Sequence, residues 1–388
     1  MPIDAPVYMD YSATTPCDDR VVEEMMPYFR TYFGNASSRT HAYGWQAEAA
    51  VDQARERVAT LIQAQPREII FTSGATEACN LALRGVFELY AVKGNHIITV
   101  KTEHKAVLDT CKALEKKGAA VTYLDVNEEG IVDIAALEKS IRPTTVLVAV
   151  MLGNNETGVV QPLSAIGAIC KKNKVLLFCD ATQAVGKIPV AVDDLQVDLM
   201  AFSSHKMYGP KGVGALYIRS RNPRVKLSPQ ITGGGQEQQT RSGTLNVAGI
   251  AGFGKACALC HEEMKEEEAR LKALTTQLKK GLLQIPGAQL NGDKAARLPH
   301  ILNISFPPLN SSLLLSALNK TLALSSGSAC TSGSLDPSFV LKAMQIEDGP
   351  ARAALRFSLG RFSTESEVDV AIKEVTQKVT GLKAQIPS

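Results

Sequence analysis

The chain has 388 residues, 45% hydrophobic and 21% charged, with 42 Lys and Arg against 39 Asp and Glu for a net charge of +3. That balance is ordinary for a globular protein, gives no reason to expect a nucleic-acid or acidic-membrane partner, and leaves enough chain for two domains. No apolar run approaches the roughly 20 residues that cross a bilayer, and Met1 to Asp10 lacks the basic and apolar regions of a secretion signal, so a cytoplasmic protein is expected.

In chain order, Pro2 to Tyr11 is expected to pack on a smaller, C-terminal domain. Trp45 to Gln63 reads as an amphipathic helix. Glu68 to Thr72 reads as a short strand, joined by Ser73-Gly74-Ala75-Thr76 to a helix reaching about Val92. Strands at Asn95 to Lys101, Ala120 to Leu124, Thr145 to Met151 and Val175 to Cys179 then alternate with helices at Lys105 to Lys117, Asp133 to Ile141 and Ser164 to Asn173. A further apolar run, Val197 to Phe202, leads into Ser203-Ser204-His205-Lys206. Strands that are apolar on both faces, separated by helices, predict an α/β fold whose mostly parallel sheet is covered on both sides. Residues 15-255 form this large domain on our reading. A long charged helix follows at about Ile250 to Leu283, then strands at His300 to Phe306 and Ala354 to Ser358, and a last helix capped by Ser363 or Thr364. Residues 1-14 and 256-388 are assigned to a smaller α+β domain.

Eight cysteines are present. In a reducing compartment they are expected as thiols. Cys79, Cys111, Cys170 and Cys179 fall in helix or strand patterns and read as core. Cys257-Ala258-Leu259-Cys260-His261 matches a haem-attachment spacing, but it lies inside the long helical pattern. No second ligand pair stands at finger-like spacing, so no metal is expected.

In such a sheet, ligands collect at the carboxyl ends of the strands. Lys206 and Asp180 each end an apolar run there. A lysine amine can hold the aldehyde of pyridoxal phosphate, and a carboxylate can keep its ring nitrogen protonated. Ser73 to Thr76 offers a glycine, backbone amides and a hydroxyl at a helix start, which suits a phosphate, and Ser203 and His205 can add donors. His104 is placed to stack on a ring and move protons. Gln183 is placed to reach the phenolic oxygen, and the amides of Gly153-Asn154-Asn155-Glu156 follow another strand. Ser325-Ser326-Gly327-Ser328-Ala329-Cys330-Thr331-Ser332-Gly333-Ser334 is a small-residue loop with one thiol. That composition predicts mobility, and the thiol reads as a nucleophile or sulfur carrier. Arg356, flanked by apolar residues, suits an α-carboxylate.

From Tyr8-Met9-Asp10-Tyr11-Ser12-Ala13-Thr14-Thr15 to Arg356-Phe357-Ser358-Leu359-Gly360-Arg361-Phe362, this pattern resembles the group I (IscS/NifS-like) cysteine desulfurases of the aminotransferase class V superfamily. The resemblance implies fold type I of the pyridoxal 5'-phosphate enzymes, with a mostly parallel seven-stranded sheet in the large domain. It implies that Lys206 anchors the cofactor, Asp180 faces its ring nitrogen, His104 stacks on it and Gln183 meets its phenolic oxygen. Ala75, Thr76, Ser203 and His205 would hold its phosphate, and Asn155 and Arg356 the substrate carboxylate. Arg241-Ser242-Gly243-Thr244 matches a family segment that reaches the neighbouring subunit's phosphate, so Thr244 implies a homodimer. Gln236, in Gly233-Gly234-Gly235-Gln236-Glu237, stands where relatives usually have histidine. The implied reaction converts L-cysteine to L-alanine and leaves sulfur as a persulfide on Cys330, in the loop at about 325-335, for an acceptor such as an iron–sulfur scaffold. The alternatives are a selenocysteine lyase or another aminotransferase-like enzyme on the same fold, and, from a different class, a non-catalytic sulfur or metal carrier, which would not bind the cofactor.

Overall fold

A computed structural model describes residues 5–326 and 336–385 of the chain. Its largest sheet has seven strands in the order Ile69–Thr72, Gly214–Ile218, Leu199–Ser203, Leu176–Asp180, Thr145–Ala149, His96–Val100 and Ala120–Leu124. Only Gly214–Ile218 runs against its neighbours. The other four neighbouring pairs are parallel. Most of these strands are buried along their whole length, as their unalternating apolar sequence requires. Strand order reverses between His96–Val100 and Thr145–Ala149, which opens a crevice beyond their carboxyl ends.

Two helix layers cover the sheet. On one face Ala42–Leu61 and Val247–Leu282 run against each other over a core that includes Phe71, Phe202 and Phe253. They meet closely at Gly254, where a Cβ would lie 2.5 Å from the Ala54 Cα. On the other face Ala75–Leu89 and Lys105–Glu115 pack over Phe178, Leu147 and Leu216.

A third core gathers Leu271, Leu278, Ile304, Phe306, Leu355, Phe357 and Val375. It lies against an antiparallel sheet of Ala354–Ser358, Ile301–Ser305 and Gln289–Leu290. The final helix, Glu365–Lys383, starts at Thr364 in a reciprocal cap with Glu367. The N-terminal segment joins this part of the molecule. Val7–Tyr8 pairs in parallel with Leu322–Ala323, and Met9 is buried in the third core.

The long helix begins three residues before the expected Ile250, capped by the Asn246 side chain. The helix expected to reach about Val92 ends at Leu89, and the chain then turns through Tyr90 to Gly94. One local feature has no sequence signal. Glu237, Gln238 and Gln239 form a left-handed turn, with φ of 46°, 56° and 63°. It is held by buried Glu237, which accepts from Arg55 Nη2 at 2.6 Å and from the Phe71 backbone at 2.7 Å.

Candidate active site

The carboxyl ends of the parallel strands surround a cavity of about 540 Å³. Ala75, Thr76, His104, Asn155, Asp180, Gln183, Ser203, His205, Lys206 and Arg356 all line it. Ten residues, the first and last of them 281 positions apart, are thus brought to one space by the ends of five strands and by the strand bearing Arg356.

At one end, Ser73 and Gly74 turn the chain from a strand into the helix Ala75–Leu89. Gly74 has φ 153° and ψ 178°, a region that side chains other than glycine's avoid. It lies so close to Gly214 that a Cβ on Gly214 would come within 2.7 Å of the Gly74 Cα. First-turn amides of a helix have no intrahelical partner, so those of Ala75 and Thr76 are available to an anion. Lys211, His205 and Ser203 stand on the same cavity wall. Burial, reinforced by Lys206 and Lys211, lowers the His205 imidazole to about 4, so it is neutral near pH 7. The Glu77 carboxylate also lines the cavity, and its charge is already compensated. Burial alone would raise the Glu77 carboxyl, but bonds from Arg241 and Ser73 outweigh it and hold it below the usual range. Arg241 Nε donates to Glu77 at 2.8 Å.

Asp180 ends its strand 5% exposed. Its Oδ1 accepts from the Thr182 backbone at 3.0 Å, and the Cys79 thiol lies 3.9 Å from Oδ2. Lys206 donates its amine to the Ala13 carbonyl at 2.8 Å and also to that of Ser12. Gln183 Nε2 donates to the same Ser12 carbonyl at 2.9 Å. His104 caps the helix Lys105–Glu115, its Nδ1 accepting from the Ala106 backbone at 3.1 Å. That bond keeps the proton of a neutral ring on Nε2.

Arg356 is 3% exposed. It donates Nη2 to Asp10 at 2.7 Å and Nη1 to the Asn155 carbonyl at 2.9 Å. Its Nε is buried without a partner among the described residues, as is Thr182 Oγ1 on the cavity wall. Two orphaned polar atoms, an anion-seeking helix start, a buried carboxylate and a strand-end lysine together fit pyridoxal phosphate and an amino-acid carboxylate.

The sequence reading did not identify Asp10, Ser12, Ala13 or Lys211. The first three stand in the Tyr8 to Thr15 motif, but their partners are at least 171 residues away. It also passed over Glu103. That residue is 1% exposed and accepts from the Met151 backbone at 2.6 Å, and burial pushes its carboxyl well above the usual range. Thr244 is exposed and does not line the cavity of its own chain. Gln236 accepts from the Gly243 amide at 2.8 Å and so braces the Arg241 to Thr244 segment. Cys330 lies outside the described residues.

The family model for aminotransferase class-V matches residues 7–370. The cysteine desulfurase IscS of Dechloromonas aromatica (strain RCB) is 51% identical over 388 residues, covering 100% of this chain and 95% of that protein. A solved NifS-like protein superposes with a TM-score of 0.90 at 39% identity, over 97% of this chain and 100% of the other. A structure of SspA in complex with cysteine gives a TM-score of 0.81 at 36% identity, over 92% and 99%. With its sheet order, its strand-end lysine and carboxylate and this full-length likeness, the chain belongs to the aminotransferase class-V family and groups there with the IscS- and NifS-like cysteine desulfurases.

Proposed function

We propose that the protein is a cysteine desulfurase that binds pyridoxal 5'-phosphate in this cavity and converts L-cysteine to L-alanine. The sulfur passes to Cys330 as a persulfide. The observation that carries this reading is the convergence of Lys206, Asp180, Arg356 and the start of the helix Ala75–Leu89 on one cavity. Relatives named for the same activity support it, as does the solved SspA complex with cysteine.

Ala75, Thr76, Ser203 and His205 would hold the cofactor's phosphate, Asp180 its ring nitrogen and Gln183 its phenolic oxygen, with Lys206 as covalent anchor. Bound there, the cofactor would supply a sink for the electron pair released when the Cα–H bond of cysteine breaks. Arg356 and Asn155 hold the substrate carboxylate. The Lys206 amine takes the Cα proton. His104 Nε2 carries a proton between the substrate sulfur and the cavity. The Cys330 thiolate bonds to that sulfur as its bond to Cβ breaks. Cβ gains a proton and becomes the methyl group of alanine, so one sulfur atom moves and no external oxidant is needed.

The other thiols are poorly suited to the transfer. Cys79, Cys179 and Cys257 are fully buried, and burial pushes each well above the ordinary thiol range. Burial also raises Cys111 and Cys170 to about 12 and Cys260 to about 11. Cys17 is part-exposed, but burial raises it too, and it does not line the cavity.

A homodimer is part of this proposal. Phe29, Phe33, Tyr43 and Trp45 are exposed by 60%, 64%, 52% and 55%. Phe33 and Tyr43 lie with ring centroids 5.3 Å apart. Exposed aromatic groups of this kind mark a surface that another protein covers. A second copy would bring Thr244 to the neighbouring cavity. A cytoplasmic setting and an iron–sulfur scaffold as sulfur acceptor complete the reading. Residues 15-255 would form the cofactor domain, and 1-14 with 256-388 the smaller one. No helix of the described residues is long and apolar enough to cross a membrane.

The test is mass spectrometry of the cofactor-loaded protein after exposure to cysteine, with alanine measured in parallel. One added sulfur on the peptide containing Cys330, and its loss in Cys330→Ala, is the expected outcome. Undiminished turnover by Cys330→Ala removes that residue from the reaction.

A further inference from the structure

Two residues past Lys206, Tyr208 is fully buried in a left-handed conformation, with φ 64°. A bulky aromatic residue is strained there and stays only when its surroundings over-determine it. Its hydroxyl is used to capacity. It accepts from Lys187 Nζ at 2.7 Å and from the Arg361 backbone at 2.6 Å, and it donates to Glu267 Oε1 at 2.8 Å. The ring carries two cations, the Lys187 ammonium 3.8 Å and the Arg361 guanidinium 4.3 Å from its centroid.

These charges compensate one another out of water. Lys187 pairs with Glu267 at 3.1 Å, and Arg361 pairs with Glu267 and with Asp18 at 2.8 Å each. Burial alone would raise the Glu267 carboxyl, but Lys187 and Arg361 outweigh it and hold it at about 2, so it stays ionised. The backbone is held as well. The Tyr208 amide donates to Thr15 Oγ1 at 2.8 Å, its carbonyl accepts from the Asp18 amide at 2.9 Å, and the Thr15 amide donates to the His205 carbonyl at 3.0 Å.

A buried ionic set contributes little net stability for its desolvation cost, so its value lies in what it fixes. This one joins the turn bearing Lys206, the N-terminal segment whose carbonyls receive the Lys206 amine, the long helix, and the chain five residues past Arg356.

We propose that Tyr208 is a positioning residue: its hydroxyl, gripped by Lys187, Glu267 and the Arg361 backbone, sets the Lys206 amine relative to the Arg356 guanidinium. The inference rests on the roles given above to Lys206 and Arg356. It assigns to the buried ion pairs a task in the reaction rather than in stability alone.

The test compares the cofactor-loaded, full-length protein with Tyr208→Phe. The variant is expected to bind cofactor at the same stoichiometry while kcat falls at least about tenfold, a 1 Å misplacement being worth about 10²-fold. The pH dependence of the bound cofactor's visible absorbance should also be displaced. A lower melting temperature with kcat and that pH curve unchanged overturns the proposal. If Tyr208→Phe does not fold, Lys187→Met removes one of the three hydroxyl contacts. It should show the same displacement in smaller size, and unchanged kinetics there overturn the proposal equally. Lys206→Ala separates the two levels of inference. Retained visible absorbance overturns the role of Lys206 itself, whereas its loss beside an unaltered Tyr208→Phe overturns only the role of Tyr208.

Discussion

Replacing Arg356 by alanine should cost catalysis far more than folding. The guanidinium is held by Asp10 at 2.7 Å and the Asn155 carbonyl at 2.9 Å, with Nε unpartnered among the described residues. Those two bonds fix the plane of the fork and leave donors for a carboxylate in the cavity. A substrate carboxylate accepting two such bonds gains about 1.5–3 kcal/mol from each, or roughly 3–6 kcal/mol together. At about 1.36 kcal/mol per decade, Arg356→Ala should lower kcat/KM by roughly 10²- to 10⁴-fold. The Asp10 side chain is 21% exposed, so water can solvate it in the variant and the fold should survive. The assay is the initial rate of alanine formation against cysteine concentration, with cofactor loading checked by visible absorbance. Loading should be normal and the loss concentrated in KM. Arg356→Lys should recover only part of it, because an ammonium keeps the charge but not the planar fork. A kcat/KM for Arg356→Ala within about threefold of the parent protein would refute the carboxylate role.

Two further outcomes are expected. Gly214→Ala puts a Cβ 2.7 Å from both the Gly74 Cα and the Phe202 carbonyl, and backbone on both sides prevents relief. Overpacking of this kind costs about 1–3 kcal/mol, and because Gly74 starts the phosphate-facing turn, cofactor affinity should fall with stability; equilibrium dialysis with denaturant melts reads both. Stability should also fall in mild acid. Burial lowers the folded-state pKa of His96 and of His205 from 6.5 to about 4. A group with a depressed folded pKa binds more protons when unfolded, so the stability it supports is complete above about 6.5 and is lost as pH falls toward about 4. Urea melts of the cofactor-free protein across that range check the slope, and His96→Asn should flatten it. A parent protein equally stable at both ends would refute the assignment of neutral buried imidazoles.

What the sequence made legible follows from where chemistry sits relative to local pattern. Lys206, Asp180 and His104 each stand within four residues of the end of an apolar run, so period and position placed them before any contact was known. The strands themselves were legible for the same reason, with Ala120–Leu124 and Ala354–Ser358 read to the residue. Gly214–Ile218 was not legible. Its five residues emerge from the glycine-rich Gly209 to Gly214 turn and run antiparallel, outside the strand–helix alternation that revealed the others. Asp10 and Glu267 were illegible for a different reason. Asp10 reads as one polar residue among hydroxyls, and Glu267 as one member of a charge run on the long helix that looks like a solvated face. Yet Glu267 is 8% exposed, while Glu266 beside it faces solvent and Glu268 is half-buried. At 3.6 residues per turn the three point in different directions, and only segments 59 to 94 residues away along the chain decide which one meets Lys187, Tyr208 and Arg361. Local pattern therefore locates residues whose function depends on where their own strand ends. Residues that act by gripping another segment stay hidden until topology brings that segment to them.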